Sequence, residues 1–146
     1  MRIYLDVCCL NRPFDDQSQH KILLEAEAVK IIFDKIESQD WKIISSEVVD
    51  LEISKIPDHV RKQQVELLAS VYHKKIMINN EIVKISKTIQ LLGIKAFDAL
   101  HIGCAIYAKV DVFLTTDDEL IQKYEANKDC FNIRIANPLE WVYEVK

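Results

Sequence analysis

Short apolar runs alternate along this chain with longer amphipathic segments, and this order constrains the fold more than any other feature. The predicted strands are 2–6, 41–45, 75–78, 110–114 and 132–135. The predicted helices are 21–38, 46–54, 58–72, 80–92, 97–108, 117–125 and 138–143. Because parallel strands need long crossover connections, which are usually helical, the pattern predicts an α/β fold with a central, mainly parallel sheet of about five strands.

The length of the chain fits one domain. A chain of 146 residues buries roughly 70% of the surface that its unfolded form exposes, which is enough for a core without disulfides. We therefore predict a single domain over residues 1–146. The formal net charge of −4 argues against a protein that grips nucleic acid non-specifically, although a basic rim around an acidic centre is compatible with it.

The cysteines and the apolar segments indicate a cytoplasmic protein. Cys8 and Cys9 are adjacent and the other two cysteines are distant, so none has the paired spacing of zinc ligands. We interpret them as structural thiols in a reducing compartment. No segment approaches the roughly 18 uninterrupted apolar residues of a membrane span, and the chain begins directly with a strand pattern. We expect no contact with a membrane.

Gly93 and Gly103 are the only glycines in the chain. Phosphate-binding loops of the Walker type and dinucleotide-binding turns need several close glycines, because backbone amides must approach the phosphates. The sequence excludes both kinds of site. Gly93 suits the left-handed position that ends a helix.

Four acidic residues stand in apolar surroundings. Asp6 closes the first predicted strand and Asp117 follows the fourth, whereas Glu52 and Asp98 lie in helices. An ionised carboxylate is costly to desolvate unless a cation or hydrogen-bond donors compensate it. The functional crevice of an open parallel sheet lies at the carboxyl ends of its strands. Oxygen ligands at this edge predict a site for Mg²⁺ or Mn²⁺.

Each of these acids also has a simpler structural interpretation. Asp98 can be a helix-start residue favoured by the helix dipole, Asp117 can be an N-cap, and Glu52 can pair with a nearby lysine. Asp6 is the hardest to explain in this way, because Asp is depleted in strands and this one ends an apolar run. The alternatives remain open for the other three acids.

The order of four short motifs resembles the PIN domain family. The motifs are an early strand ending in Asp6, the pattern Ser-x-x-x-x-x-Glu-Ile over 46–53, the segment DALHIGCA over 98–105, and the turn Thr115-Thr116-Asp117. The resemblance extends from Met1 to about Trp141. It implies a three-layer α/β/α sandwich around a parallel sheet, and a metal-dependent ribonuclease such as the VapC-like toxins of toxin–antitoxin pairs.

The resemblance also implies the role of each acid. Asp6, Glu52, Asp98 and Asp117 match the family's catalytic metal-binding positions. Asp6 and Asp98 would be the core ligands, Glu52 a ligand or a base that positions water, and Asp117 a ligand partly through water. A Mg²⁺ or Mn²⁺ ion held there would activate a water for attack on an RNA phosphodiester. For toxin-like members, the implied partners are an antitoxin whose tail covers the site and a second copy of the chain.

Neighbouring residues are expected to support this site. Thr115 matches a hydroxyl residue that orients the last acid. At Val7-Cys8 the chain departs from the family, since many members carry Thr or Ser followed by Asn or Ser there. Asn11 is a candidate to supply a polar group near the first acid instead. Arg12 is the candidate to bind a substrate phosphate.

His101 lies three positions after Asp98 on the same helix face, but a packing role is favoured over a role in the site.

Three other function classes compete with the metal-dependent ribonuclease. A phospho-receiver domain needs an acid after the third strand and a dehalogenase-like phosphatase needs Asp-x-Asp after the first, and the sequence provides neither. The stronger rival is a non-catalytic PIN-like module that binds protein or RNA.

Overall fold

The computed structural model describes residues 1–145 and contains one five-stranded parallel sheet. The strands are β1 (Arg2–Leu5), β2 (Lys42–Ser46), β3 (Lys74–Ile76), β4 (Val112–Leu114) and β5 (Arg134–Ala136). Their order is β3-β2-β1-β4-β5, with β1 at the centre. Tyr4 of β1 pairs with Ile44 on one side and with Phe113 on the other. The predicted parallel α/β architecture is confirmed.

Helices connect and cover the strands. They are α1 (Val7–Asn11), α2 (His20–Ser38), α3 (Glu47–Ser54), α4 (His59–Ala69), α5 (Asn80–Gln90), α6 (Ala96–Tyr107), α7 (Asp118–Ala126) and α8 (Pro138–Val145). Two short 3₁₀ turns cover Arg12–Phe14 and Lys128–Cys130. Within residues 1–145, no helix combines the length and the apolar composition that crossing a bilayer requires.

The central strand is covered on both faces. Ile3, Tyr4 and Leu5 point alternately to opposite faces of the sheet, and all three are almost completely buried. Helix α2 packs against α8, and α5 packs against α6. The predicted three-layer α/β/α sandwich is confirmed. Trp41 and Trp141 pack together with ring centroids 4.9 Å apart, in line with their apolar sequence context.

The two glycines serve the backbone. Gly93, which follows the end of α5, has a φ of +87°, as expected for a left-handed helix stop. A Cβ atom on Gly103 would lie 3.1 Å from the carbonyl oxygen of Ile82, so this glycine permits the close approach of α6 to α5.

The strand order reverses beside β1, and this places a crevice at the carboxyl ends of β1 and β4. The chain runs outward from β1 through β2 to β3, then returns to the other side of β1 as β4 and continues to β5. Asp6 follows β1 directly, and Thr115 to Asp117 follow β4. The topology therefore gathers these residues where open parallel sheets carry their functional sites.

The structure differs from the predicted elements in a few places. The sequence pattern does not predict helix α1, because its five residues span too little sequence to show a helical period. Asp6, predicted as the last residue of the strand, is instead the N-cap of α1. Helix α4 stops at Ala69, short of the predicted residue 72. Strand β4 starts at Val112, because Lys109 turns the preceding segment with a φ of 55°.

Candidate metal centre

Asp6 is a buried carboxylate at the centre of the crevice, only 5% exposed. Its Oδ1 accepts the backbone N–H of Val7 at 2.8 Å, and its Oδ2 accepts the hydroxyl of Thr115 at 2.9 Å. Burial raises the pKa of Asp6 above its ordinary value of 3.8, and the charge of Glu52 raises it further, whereas His101 and the Thr115 hydrogen bond oppose the rise. The site therefore holds a desolvated acid with ordered donors.

Glu52 and His101 complete a tight group with Asp6. Glu52 lies on α3 and His101 on α6, and His101 Nε2 is 2.8 Å from Glu52 Oε1 and 4.0 Å from Asp6 Oδ1. One ligand atom of each of the three residues lies within 4.8 Å of the others, so the group can hold a metal ion. His101 is completely buried, as a packing residue would be, yet it also faces the site. The interpretation as packing alone was therefore incomplete.

A chain of hydroxyls lies behind His101. Tyr4 Oη is 2.7 Å from His101 Nδ1 and 2.6 Å from Ser46 Oγ. Ser46 is the N-cap of α3, and its Oγ accepts the backbone N–H of Val49 at 3.3 Å. The helix that carries Glu52 is thus tied to the central strand and to α6 through buried hydrogen bonds.

Asp98 lies half-buried in the first turn of α6. Burial raises the pKa of Asp98 from 3.8 to about 6, and the negative charges of Asp6, Asp117 and Glu52 contribute to that rise. The four predicted acids therefore influence one another electrostatically. Asp98 also lines a small recess with Asp117, Lys95 and Lys123.

Asp117 and Thr115 are linked at the end of β4. Asp117 is the N-cap of α7, and its Oδ1 accepts the N–H groups of Glu119 and Leu120 at 3.0 and 3.2 Å. Its own N–H donates to Thr115 Oγ1 at 3.1 Å, and the Thr115 hydroxyl donates to Asp6. The expectation that Thr115 orients the carboxylate of Asp117 is thus corrected. The hydroxyl serves Asp6, because Asp117 turns its carboxylate to the start of α7.

Within residues 1–145, no lysine or arginine forms an ion pair with any of the four acids. Buried Glu25, in contrast, pairs with Arg12, and exposed Asp50 pairs with Lys75. The only basic side chain within ion-pair distance of the four acids, among residues 1–145, is therefore the imidazole of His101. The carboxylate oxygens of this cluster are ligands of the kind that suits Mg²⁺ or Mn²⁺.

The model of one protein family, described as the PIN domain, matches residues 3–126, a range that includes all four acids. The chain belongs to the PIN domain family. The predicted family is thereby confirmed. Strand β5 and helix α8 lie beyond the matched range but continue the same sheet and its helical layer. Comparison with curated proteins gives no match.

Solved structures share this PIN fold at low sequence identity. VapBC2 from Rickettsia felis, bound to a DNA fragment from its promoter, has a TM-score of 0.63 and 16% identity, with 94% of this chain and 98% of that chain covered. VapBC-1 from nontypeable Haemophilus influenzae has a TM-score of 0.59, 16% identity and coverages of 94% and 98%. A toxin–antitoxin complex from Klebsiella pneumoniae has a TM-score of 0.57, 17% identity and coverages of 93% and 97%.

Asn11, a predicted supporting residue of the PIN site, forms other contacts. Asn11 donates to the carbonyl of Val7 at 3.1 Å and accepts from Arg61 at 3.2 Å, so its amide serves the α1–α4 contact and gives Asp6 no hydrogen bond. The expectation for Asn11 is therefore corrected. Helix α1, which the sequence did not reveal, turns the side chain of Asn11 toward α4.

The guanidinium of Arg12 is held by two carboxylates. Its Nε donates to Glu25 at 2.9 Å and its Nη1 donates to Asp15 at 2.9 Å. Glu25 is completely buried and also accepts from Asn137 at 2.5 Å. Arg12 thus neutralises a buried acid, which is a structural role that the sequence did not reveal. Its contact with a substrate phosphate stays a prediction.

The departure from the family at Val7-Cys8 leaves a thiol beside the site. Cys8 Sγ lies 3.3 Å from Thr115 Oγ1 and accepts the N–H of Thr116 at 3.3 Å. The hydrogen bond from Cys8 also lowers the pKa of Asp6 against the stronger effect of burial. A sulfur therefore lies beside Asp6 and Thr115, where the resemblance predicts an oxygen or amide group.

Proposed function

We propose that this PIN domain is a Mg²⁺- or Mn²⁺-dependent endoribonuclease. The observation that supports it best is the cluster of Asp6, Glu52, Asp98 and Asp117 at the sheet crevice, without a lysine or arginine ion pair among residues 1–145. Such a concentration of negative charge repels an RNA phosphate, and a divalent cation reverses that repulsion. The family membership of the chain makes nucleic acid the expected substrate class.

In the proposed mechanism, each acid has a separate task. Asp6 and Asp98 would be the principal ligands, and Asp117 would contribute partly through water. A bound ion would supply Lewis-acid stabilisation of the phosphate and would lower the pKa of a water. Glu52, which is 35% exposed at its side chain, would help to hold the ion and can also accept a proton from the water that attacks phosphorus. The P–O bond to the leaving oxygen breaks, and that oxygen takes up a proton.

The RNA backbone would enter beside Asp98 and Asp117. Lys95 and Lys123 line the recess that these acids share, and two cations there can contact the phosphates that flank the cleaved bond. Lys123 Nζ is held 2.7 Å from the carbonyl of Gly93 and 3.2 Å from Glu119. Lys95 and Lys123 are thus the candidate phosphate contacts in a recess that Glu119 also lines, in a chain whose net charge is −4.

RNA cleavage by the purified chain tests this proposal. We expect cleavage with Mg²⁺ or Mn²⁺, no cleavage in excess EDTA, and a loss on the order of 100-fold or more in Asp6→Asn, which keeps the shape of the side chain and removes its charge. The matched control is Asp129→Asn, since Asp129 is an exposed acid outside the cluster. Cleavage that persists in EDTA, or that Asp6→Asn retains, would refute a metal mechanism.

The same experiment separates the enzyme from a non-catalytic PIN-like binding module. Such a module would bind RNA or a protein, but would show neither metal affinity nor cleavage in the wild type and in Asp6→Asn. Cys8, which departs from the family pattern, is the feature that favours this alternative. The hydrogen bonds of its thiol to the Thr115–Thr116 segment favour an intact site instead.

We further propose that the chain acts as the toxin of a toxin–antitoxin pair and forms a homodimer. The support is the shared fold with VapBC proteins from two bacteria and with a toxin–antitoxin complex from a third. Expression of the wild type should arrest growth, whereas Asp6→Asn should not. A short open reading frame beside the gene should encode a protein that co-purifies with the chain and blocks cleavage. Light scattering on the purified chain tests the dimer.

A further inference from the structure

We propose that His101 is a positioning residue that holds Glu52 at the site through an Nε2–H donor, with its tautomer set by Tyr4 and Ser46. The expected effect on metal affinity rests on the proposed metal-dependent function, whereas the hydrogen bonds of His101 do not depend on that function. Glu52 Oε1 lies 2.8 Å from His101 Nε2, and the other ring nitrogen lies 2.7 Å from Tyr4 Oη. Both nitrogens of a completely buried ring are therefore engaged.

The direction of the hydrogen bonds follows from counting donors. Ser46 Oγ already accepts the N–H of Val49, so its own proton is available to Tyr4 Oη. Tyr4 can then donate to His101 Nδ1, and His101 donates through Nε2–H to Glu52. In this arrangement each donor has an acceptor. No buried side-chain nitrogen or oxygen within residues 1–145 lacks a hydrogen-bond partner.

The opposite tautomer of His101, with its proton on Nδ1, would place the lone pair of Nε2 against a lone pair of Glu52 Oε1. If the only proton of a neutral ring were on Nδ1, the bare Nε2 would face the ionised Glu52 carboxylate at 2.8 Å. If the ring carried two protons, Nε2 would again donate to Glu52. With an ionised Glu52, His101 therefore presents Nε2–H in either charge state, and its ring serves Glu52 rather than a metal ion.

Glu52 needs His101 as a partner because helix α3 alone does not fix the orientation of the Glu52 side chain. Its side chain is 35% exposed, and His101 is its only ion-pair partner among residues 1–145. A carboxylate that binds a metal ion is commonly oriented by a second residue, and loss of that residue typically lowers metal affinity about 10–100-fold. The buried Tyr4–Ser46 pair fixes the ring of His101, and His101 in turn orients Glu52.

Two substitutions of His101 separate the two ring nitrogens. The amide nitrogen of Gln can replace Nε2 and donate to Glu52, whereas the shorter Asn reaches only the Nδ1 position beside Tyr4. We expect His101→Gln to keep the Mn²⁺ affinity within about threefold, and His101→Asn to lower it about 10–100-fold. Calorimetric titration of Mn²⁺ measures both values, and thermal unfolding verifies that each variant is folded. Equal losses in the two variants, or no loss in His101→Asn, would overturn the proposal.

The tautomer is measured on the metal-free protein. Long-range ¹H–¹⁵N spectra of the histidine ring should show a proton on Nε2 and, in the neutral ring, a bare Nδ1. Tyr4→Phe should change the Nδ1 resonance, and the matched control Tyr124→Phe, which alters another buried tyrosine, should not. A neutral ring protonated only on Nδ1 would refute the proposal.

Failure of the proposed function and failure of the positioning role of His101 give different results. A wild type that neither binds Mn²⁺ nor cleaves RNA refutes the proposed function, while the ring spectra still decide whether His101 donates to Glu52. A wild type that binds Mn²⁺ and cleaves RNA, together with a His101→Asn variant that matches it in both, refutes the positioning role alone.

Discussion

The hydroxyl of Thr115 donates to Asp6 Oδ2 at 2.9 Å, across 109 positions of sequence. Thr115 Oγ1 also accepts the N–H of Asp117 at 3.1 Å and lies 3.3 Å from Cys8 Sγ. One buried hydroxyl thus connects the ends of β1 and β4, the two strands that border the crevice. The position of Asp6 depends on it.

Replacement of Thr115 by Val should therefore destabilise both the fold and the site. The valine keeps the shape but leaves Asp6 Oδ2 and the N–H of Asp117 without this partner, at a cost of about 1–3 kcal/mol in the free energy of unfolding. Urea denaturation in EDTA measures the loss. Thr115→Ser is the matched control, because it keeps the hydroxyl. If Thr115→Val is as stable as the wild type while Thr115→Ser is not, the hydrogen bond contributes nothing and the methyl packing decides the stability.

The placement of Asp6 and Asp117 was predictable from the sequence because both follow apolar strand patterns. Parallel strands bring their carboxyl ends to one edge of the sheet, so the strand pattern alone predicts that these acids approach each other. Glu52 and Asp98 were harder to place. They lie on helices, and the packing of a helix decides which of its faces meets the crevice. The local sequence pattern does not predict that packing, whereas the resemblance of the four motifs to the PIN family assigns both residues to the site.

The contacts of Tyr4, Asn11 and Arg12 could not be predicted from the sequence. Tyr4 stands in an apolar strand, and its hydroxyl partners lie 42 and 97 positions away, at Ser46 and His101. No local pattern encodes such hydrogen bonds. The sequence pattern assigns no helix or strand between residues 7 and 20, and it therefore predicts that Asn11 and Arg12 lie near Asp6. The five-residue helix α1 instead carries them to α4 and to the buried Glu25.

Asp98 makes the stability of the metal-free protein depend on pH. Its pKa is about 6 in the folded protein against an ordinary value of 3.8, so the folded state binds the proton more tightly than the unfolded state. Stability therefore falls as the pH rises through this interval and stays lower above it. Asp98→Asn removes the penalty, and after solvent screening the gain at neutral pH should be on the order of 1 kcal/mol.

Denaturation in EDTA across this pH range measures the effect of Asp98→Asn. The difference between variant and wild type should be largest above the folded pKa of Asp98 and should vanish below the unfolded one. Asp129→Asn provides the control at an exposed position. A constant difference at all pH values would mean that the charge of Asp98 is not the cause.

Addition of Mg²⁺ or Mn²⁺ should reverse this pH dependence. A metal ion binds the ionised carboxylates, so it stabilises the fold most where Asp98 has lost its proton, above about pH 6. At roughly 100 times the dissociation constant, the free energy of unfolding should rise by about 2.7 kcal/mol. Thermal unfolding with metal and with EDTA measures the shift. An equal shift in Asp6→Asn would place the ion elsewhere on the protein.

Arg12 should be more important for folding than its exposure suggests. It is 20% exposed at its side chain, but it donates to Glu25, which is completely buried, and to Asp15, which also pairs with Arg61. Arg12→Gln removes the charge that neutralises Glu25, and an unpaired buried carboxylate typically costs about 3–5 kcal/mol. Urea denaturation measures the loss in the free energy of unfolding.

The control for Arg12 is Arg134→Gln, which breaks an exposed pair with Glu144 and should change stability by less than about 1 kcal/mol. Glu25→Gln combined with Arg12→Gln should recover part of the loss, because the buried charge is then gone. This double variant also separates folding from substrate binding. If it is stable and cleaves RNA with an unchanged KM, Arg12 serves the fold alone. If KM rises while stability is restored, Arg12 also contacts the substrate phosphate, as the sequence predicts.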